Sequence, residues 1–450
     1  GGVIFTGSTE VARLINQTLA KRDDSPVLIA ETGGQNAMIV DSTALAEQVC
    51  ADVLNSAFDS AGQRCSALRI LCVQEDVADH MVKMIKGAMD ELVVGNPIAL
   101  DTDIGPVIDT EAQQNLLAHI NRMKGIAKSY HEIRPSENVN PDNATFVAPI
   151  MFELNGLGEL QREVFGPVLH VVRYPADGLD KLIDQINGKG YALTHGVHSR
   201  IDGTVEHIRS RIESGNVYVN RNIVGAVVGV QPFGGHGLSG TGPKAGGSFY
   251  LQRLSRLKEW TAPTLSKIGQ VDEDALKRLE TLLHGLPLPQ SEKMAAAASL
   301  GQSRVRTLRK AESVLSGPTG ERNVLSWHAP ARVWLYGGSL AASFTALVSL
   351  ASAGVQAVVL PDHPLAAYAD RLDGLLAVTD KPEAAGISHV AALEPLPSAR
   401  KQVLANRDGA LVRILPSENG LDILQVFEEI SCSINTTAAG GNASLMAMAD

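Results

Sequence analysis

Cysteine is nearly missing from this chain, with four in 450 residues. Cys50, Cys65, Cys72 and Cys432 have neither the paired spacing of a metal site nor that of a disulfide framework. A reduced, cytoplasmic setting is therefore expected. The twelve histidines show no ligand spacing either, so no metal is expected. Aromatic residues are scarce at 4%, while glycine is abundant with 42 copies. That balance suits an α/β fold rich in tight strand-to-helix turns, where glycine supplies positive φ. Long basic runs are absent and the net charge is −10, which argues against a nucleic-acid surface. No apolar stretch approaches the roughly 20 residues that span a bilayer. The best candidate, Leu340 to Leu360, is broken by Ser, Gly and Gln. A signal peptide and an initiator Met are missing as well. The opening Gly-Gly-Val-Ile-Phe-Thr-Gly-Ser reads as a strand entering a turn, and the chain is expected to be a piece of a longer polypeptide.

What is present is an ordinary globular balance, 44% hydrophobic and 20% charged, in a chain long enough for two or three domains of about 100–200 residues. Val3 to Phe5 reads as a strand, followed by a helix whose Val11, Leu14, Ile15, Thr18 and Leu19 share one face. Val27 to Ala30 and Ala37 to Val40 read as strands, Thr43 to Phe58 as a helix, Leu68 to Val73 as a strand and Val77 to Leu92 as a helix. Alternation continues to about residue 220, and a glycine-rich loop fills Gly225 to Gly247. Residues 262 to 320 are rich in Ala, Leu, Lys and Glu, with few strand signals. Val333 to Tyr336, a Gly337-Gly338-Ser339 turn, a helix to about Ala353 and Gln356 to Leu360 form a βαβ unit. Further strands are expected at His389 to Ala392 and Ala410 to Leu415. Gly337-Gly338 lacks the full G-x-G-x-x-G pattern and is read as a tight turn.

The constellation that carries chemistry is Glu31-Thr32-Gly33-Gly34-Gln35-Asn36, followed 34 residues after the Glu by Cys65 in Gly62-Gln63-Arg64-Cys65. Oxidising an aldehyde to an acid needs a thiolate that adds to the carbonyl, a departing hydride, and water that cleaves the thioester. Cysteine supplies the first. A carboxylate can activate the water. Alone, Cys65 reads as an inert buried thiol and Glu31 as a solvated carboxylate at a strand end; together they read as nucleophile and base.

These two motifs resemble those of the aldehyde dehydrogenase superfamily, as do Phe5-Thr6-Gly7-Ser8-Thr9-Glu10, Glu163-Val164-Phe165-Gly166-Pro167 and Pro232-Phe233-Gly234-Gly235. The resemblance covers residues 1 to about 258. It implies an NAD(P)-dependent oxidoreductase with Gly7 and Ser8 beside the cofactor pyrophosphate, Glu163 on the nicotinamide ribose and Phe165 near the nicotinamide. It further implies an oxyanion site made by the Cys65 backbone N–H and an Asn upstream of this chain, so the fragment alone is expected to be inactive. The residues that choose NAD over NADP also lie upstream; NAD is the cofactor taken forward.

A narrower resemblance joins Ser66, Gly225, Ala226 and Phe233 to the substrate-anchoring set of L-glutamate γ-semialdehyde (pyrroline-5-carboxylate) dehydrogenases. A hydroxyl and backbone N–H groups would hold the α-carboxylate, and Phe233 would line the aliphatic stem. Gly240 to Gly247, Gly317 to Asn323 and Asn435 to Leu445 are similar to segments of long bacterial proline utilisation A proteins; His236, where Glu is the usual residue, departs from them. That likeness implies an α/β fold in four parts. Residues 1–33 are a remnant of the NAD-binding domain, and residues 34–258 are the catalytic aldehyde-dehydrogenase-fold domain. Residues 263–430 are a noncatalytic Rossmann-like domain of the same superfamily, and 431–450 are a docking tail whose Leu445, Met446 and Met448 would dock on the catalytic domain or on a sister subunit. It also implies an upstream FAD-dependent proline dehydrogenase on the same polypeptide, a homo-oligomer, and peripheral attachment to the inner membrane. The other readings are oxidation of a different small aldehyde such as succinate semialdehyde, an assembly module in the C-terminal half, and a binding protein on a dead enzyme fold.

Overall fold

Short apolar runs separated by glycine turns become strands, and amphipathic stretches between them become helices. The computed structural model describes residues 1–134, 144–255, 265–303, 307–417 and 420–437. The tail residues Leu445, Met446 and Met448 lie outside the described residues. Two compact units are present, each assembled from separate stretches of chain: residues 1–31, 240–315 and 324–431 form one, and residues 32–239, 316–323 and 432–450 the other.

The first unit opens with β1 (Gly2–Thr6), α1 (Thr9–Leu19) and β2 (Val27–Glu31). The two strands are parallel, from Gly2 opposite Val27 to Thr6 opposite Glu31, which requires the helical crossover between them. Ala12, Leu28 and Ala30 form the small core beneath α1. The expected apolar face of this helix is only partly covered: Val11 and Leu14 are 44% and 61% exposed. Two strands hide a narrow stripe of helix, and Ala12, Ile15 and Leu19 occupy it.

The remainder of this unit contains α7 (Tyr250–Leu254), α8 (Glu273–His284), α9 (Gln290–Ser303), β12 (Glu312–Leu315), β14 (Arg332–Tyr336), α10 (Leu340–Ser352), β15 (Gln356–Val359), β16 (Leu376–Val378), β17 (His389–Ala392), α11 (Ser398–Asn406) and β18 (Arg413–Pro416). Five parallel strands run in the order β16-β15-β14-β17-β18, so the winding reverses between β14 and β17. Ser339 caps α10 by accepting from Ala342 N at 3.3 Å. Gly337 and Gly338 both have left-handed backbone (φ 68° and 89°), as a tight strand-to-helix turn demands. The turn is filled by the protein itself: the Glu394 carboxylate accepts from Gly338 N at 2.9 Å.

The second unit contains β3 (Ala37–Val40), α2 (Ala46–Phe58), β4 (Ile70–Gln74), α3 (Glu75–Asp90), α4 (Thr110–Lys124), β5 (Ser129–Glu132), β6 (Ile150–Glu153), β7 (Val168–Tyr174), α5 (Leu179–Asn187), β8 (Tyr191–Ala192), β9 (Thr194–His198), α6 (Asp202–Arg211), β10 (Asn216–Val219) and β11 (His236–Gly237). Its sheet runs β10-β9-β3-β4-β7-β6-β5, parallel except for the β5 edge. It is continued by the residues of β13 (Glu321–His328) and β19 (Glu428–Asn435) that belong to this unit. Strands buried on both faces read as unbroken apolar runs, and all four residues of β3 are buried. His236 lies in the short β11–β8 pair, opposite Ala192. Among the described residues, no helix is long and apolar enough to cross a membrane.

Two buried imidazoles give this unit a pH response. His170 donates through Nδ1 to Arg69 O at 3.0 Å, leaving Nε2 to accept from His119 Nε2 at 3.0 Å. Burial holds His170 and His195 down at about 3. An unfolded histidine titrates near ~6.5, so below that pH the unfolded chain takes up protons that the folded chain refuses. The contribution is whole above the unfolded value and is lost as pH falls. Between pH 7 and pH 5 it amounts to about 2 kcal/mol for each ring. Asp52, raised to about 6 by burial, gains a proton in the folded state over the same interval and offsets part of the loss. The urea midpoint should therefore be lower at pH 5 than at pH 7; an equal or higher midpoint contradicts this assignment.

Candidate active site

The turn that carries Cys65 begins where α2 ends. Ser60, Ala61 and Gly62 all adopt left-handed backbone (φ 55°, 52° and 64°), so the chain reverses at once after Asp59. At Gly62 a Cβ would meet the carbonyl oxygen of Gly166, and only glycine fits. Two buried side chains hold the turn by its carbonyls. Arg69, 2% exposed, donates from Nη1 to Gly62 O at 2.7 Å and Gly166 O at 3.1 Å, and from Nη2 to Arg64 O at 3.0 Å. Asn36 donates to Cys65 O at 2.7 Å and Ala67 O at 2.8 Å, and its Oδ1 accepts from Thr194 N at 3.1 Å. Ser66 is buried, and its carbonyl accepts from Thr194 Oγ1 at 3.2 Å.

Cys65 is half-buried, whereas Cys50, Cys72 and Cys432 are buried. Burial raises all three of those thiols, Cys72 to about 12. A thiol held that way stays protonated and is a poor nucleophile. Cys65 alone of the four is not buried.

Arg69 also reaches the Glu163 segment. Its Nη2 lies 3.6 Å from the Glu163 carboxylate, and its guanidinium lies 5.3 Å from the centre of the Phe165 ring, which is 45% exposed. The Glu163 carboxylate occupies the space a Cβ on Gly33 would need, so a side chain there would push the carboxylate aside. Arg69 was not among the residues the motifs singled out. The available signal was a lone arginine inside the apolar run Leu68 to Val73. Arg69→Met would leave three carbonyls without their charged donor. A loss of about 3–5 kcal/mol in stability is expected. Urea denaturation checks it, and a variant as stable as the parent contradicts it.

The Gly225-Ala226 loop is anchored through Ser56, 1% exposed, whose Oγ accepts from Ile223 N at 3.1 Å while its carbonyl accepts from Leu68 N at 2.8 Å. One serine thus ties the loop to the strand entry that follows Cys65. Gly225 takes φ 75° and is exposed, while Ala226 and Phe233 are partly exposed. Phe233 is bracketed by Asn216, which donates to Pro232 O at 2.9 Å and accepts from Gly234 N at 3.3 Å. Cys65, Ser66, Glu163, Phe165, Gly225, Ala226 and Phe233 all belong to the second unit.

Glu31, Gly7 and Ser8 belong to the first unit. Glu31 ends β2, and its carbonyl accepts from Gly7 N at 3.1 Å. A Cβ on Gly7 would meet the edge of the Phe5 ring, which would have to shift to admit one. Ser8 caps α1, its Oγ accepting from Val11 N at 3.2 Å. Thr241 pairs with β2 through Ala30, accepting from Ala30 N at 2.9 Å and donating its N–H to Ala30 O at 2.9 Å. This brings Lys244, 3% exposed, into the electrostatic field of Glu31. Burial lowers the Lys244 amine to about 7, opposed first by Glu31 and then by Glu429 and Glu428. Glu429 is raised by burial and accepts from Ser248 N at 2.6 Å. Lys244 lies within the Gly240 to Gly247 segment, where the motifs assigned no residue a role.

Comparison with known proteins adds to this geometry. The aldehyde dehydrogenase family model matches residues 1–260. The bifunctional protein PutA of Escherichia coli is 46% identical over 99% of this chain and 36% of its own length, so the chain spans about a third of such curated relatives. A crystal structure of a mutant Bradyrhizobium japonicum proline utilization A (PutA) is 59% identical, with TM-score 0.54 over 56% of this chain and 25% of that one. A 1-pyrroline-5-carboxylate dehydrogenase from Thermus with bound NAD is 34% identical, with TM-score 0.50 over 56% of this chain and 48% of that one.

Proposed function

The chain belongs to the aldehyde dehydrogenase family, and on that premise we propose that, within its full-length protein, it oxidises L-glutamate γ-semialdehyde to L-glutamate with NAD. The observation that carries this reading is the nucleophile turn. Arg69 and Asn36 fix its backbone from below and leave Cys65 half-buried at its crest. Likeness to the PutA and 1-pyrroline-5-carboxylate dehydrogenase relatives supports the substrate, and likeness to the NAD-bound Thermus structure supports the cofactor.

Cys65 thiolate adds to the aldehyde carbon, and the carbonyl electron pair moves to oxygen, where the Cys65 backbone N–H stabilises it. Bound NAD supplies the acceptor for the hydride that leaves this carbon. Glu31 takes a proton from water, the water oxygen attacks the thioester, and the thiolate is released with the carboxylic acid. The Ser66 hydroxyl and the backbone N–H groups of Gly225 and Ala226 receive the α-carboxylate, while Phe233 lines the carbon chain. The residues fit the cofactor: Gly7 has no side chain beside an eleven-residue helix, and Phe165 presents a half-exposed ring. Glu163 would bond the nicotinamide ribose.

The same reading puts an FAD-dependent proline dehydrogenase upstream on the polypeptide as the source of the aldehyde, in a homo-oligomer. It treats residues 263–430 as noncatalytic, because the Glu394 carboxylate takes the position at Gly338 N that a phosphate would need. The test is NADH formation by the full-length protein. The kcat/KM for glutamate γ-semialdehyde is expected to exceed that for succinate semialdehyde and propionaldehyde by about tenfold or more. A preference for either of the others ends the substrate assignment.

A further inference from the structure

The segment Gly317-Pro318-Thr319-Gly320-Glu321-Arg322-Asn323 lies far along the chain from the catalytic motifs, and the mechanism above makes no use of it. Yet residues 316–323 belong to the compact unit that holds Cys65. They meet the substrate loop through Gln231, which is 4% exposed. The Gln231 amide Nε2 donates to Glu321 Oε1 at 2.8 Å, Asn323 Oδ1 at 3.1 Å and Ser433 Oγ at 3.1 Å. Its Oε1 accepts from Val227 N at 3.2 Å, and its own N–H donates to Val227 O at 2.9 Å. Gln231 therefore grips the residue directly after Ala226 at both backbone polar atoms.

The far side of the network is also closed. Asn323 Nδ2 donates to Glu321 Oε1 at 2.9 Å. Arg221 Nη1 bonds the other Glu321 oxygen, donates to Ser433 Oγ at 2.8 Å, and its guanidinium lies 5.4 Å from the centre of the Tyr218 ring. Asn323 and Ser433 are 1% and 2% exposed, so this is a satisfied buried network, the kind that specifies one arrangement of the loop it supports. Gly317 completes the fit, since a Cβ there would run into the Asn323 amide. Among the described residues no atom lies within 4 Å of a Cβ position on Gly225, which is exposed at φ 75°.

We propose that Glu321, Asn323 and Ser433 act through Gln231 as a specificity-determining brace. They fix the backbone of the Gly225-Ala226 loop so that its N–H groups meet the carboxylate of an aldehyde acid. The proposal rests on the substrate reading above and assigns positioning residues within it. A loop that wanders loses the carboxylate but leaves the thiolate and the base untouched. The effect falls on binding of carboxylate-bearing substrates and not on the chemistry.

The test compares glutamate γ-semialdehyde with propionaldehyde, which has no carboxylate, in the full-length protein. Gln231→Leu is expected to raise KM for the first by about tenfold with kcat within about twofold, and to leave kcat/KM for propionaldehyde within about twofold. Ser433→Ala, which removes one acceptor and disturbs packing less, is expected to raise the same KM about threefold. It decides the matter if Gln231→Leu does not fold. Equal losses on both aldehydes, or unchanged KM in a folded variant, overturn the brace. A parent enzyme that handles both aldehydes equally overturns the substrate reading first, and the brace with it.

Discussion

Cys65→Ala should stop aldehyde oxidation in the full-length protein, with kcat falling by at least ~10⁴-fold and NAD still bound. The size follows from the chemistry. Without sulfur there is no covalent adduct, and direct hydride loss from a hydrated aldehyde lacks the nucleophile that the site is built to present. The other three cysteines of this chain cannot substitute: Cys50, Cys72 and Cys432 are buried and their thiols are raised. The fold should not notice the change. Cys65 is tied in by its backbone carbonyl, which accepts from Asn36 Nδ2 at 2.7 Å, and alanine retains that carbonyl. The change removes no group assigned to the cofactor, so the dissociation constant for NAD should stay within about threefold of the parent. NADH formation and a binding titration measure the two quantities separately. Residual turnover within tenfold of the parent would remove Cys65 from the nucleophile's role.

How far the sequence carried the fold depends on how local each determinant is. Ala37 to Val40 and His389 to Ala392 were legible as strands to the residue, because buried parallel strands are short apolar runs with hard boundaries. The helix expected at Val77 to Leu92 is found at Glu75–Asp90, a shift of one half turn that leaves Met81, Ile85 and Met89 inside. Val11 and Leu14 went the other way. Their periodicity says which face of α1 is apolar but not how much sheet exists to cover it. The strand Glu312–Leu315 has one buried residue among its four, too little contrast to stand out in an Ala- and Lys-rich stretch.

The site divides along the same line. The Cys65 and Glu31 motifs are contiguous, and their glycines announce close backbone approaches that Gly33 and Gly62 do make, against Glu163 and Gly166. The residues that hold the site are single polar side chains bonding partners far away in sequence: Ser56 to Ile223, Asn216 to Pro232, Gln231 to Glu321. Gln231 and Glu321 border or lie within segments that carry the resemblance, but those segments do not say which residue bonds which. An isolated buried serine, asparagine or glutamine becomes visible only when the backbone atoms it satisfies are known.

Glu31→Gln should separate the two halves of the reaction. Glutamine keeps the shape of the side chain but cannot take a proton from water, so addition and hydride loss proceed while the thioester persists. The expected record is one equivalent of NADH per site in a rapid burst, followed by a steady rate lower by about 10²–10⁴-fold. Mass spectrometry should find the acyl group on the Cys65 peptide. The neighbouring lysine will not restore the lost base simply by proximity. Lys244 sits near 7 because burial lowers it and Glu31 is the first charge that opposes the lowering. Removing that carboxylate pushes the amine lower still, to a weaker base. Hydroxide, by contrast, needs no help in attacking a thioester, so the slow phase should quicken about tenfold for each unit of rising pH, whereas the burst should not. A burst-free variant, slow from the first turnover, would place Glu31 before hydride loss, and a variant that turns over like the parent would leave the water without its assigned base.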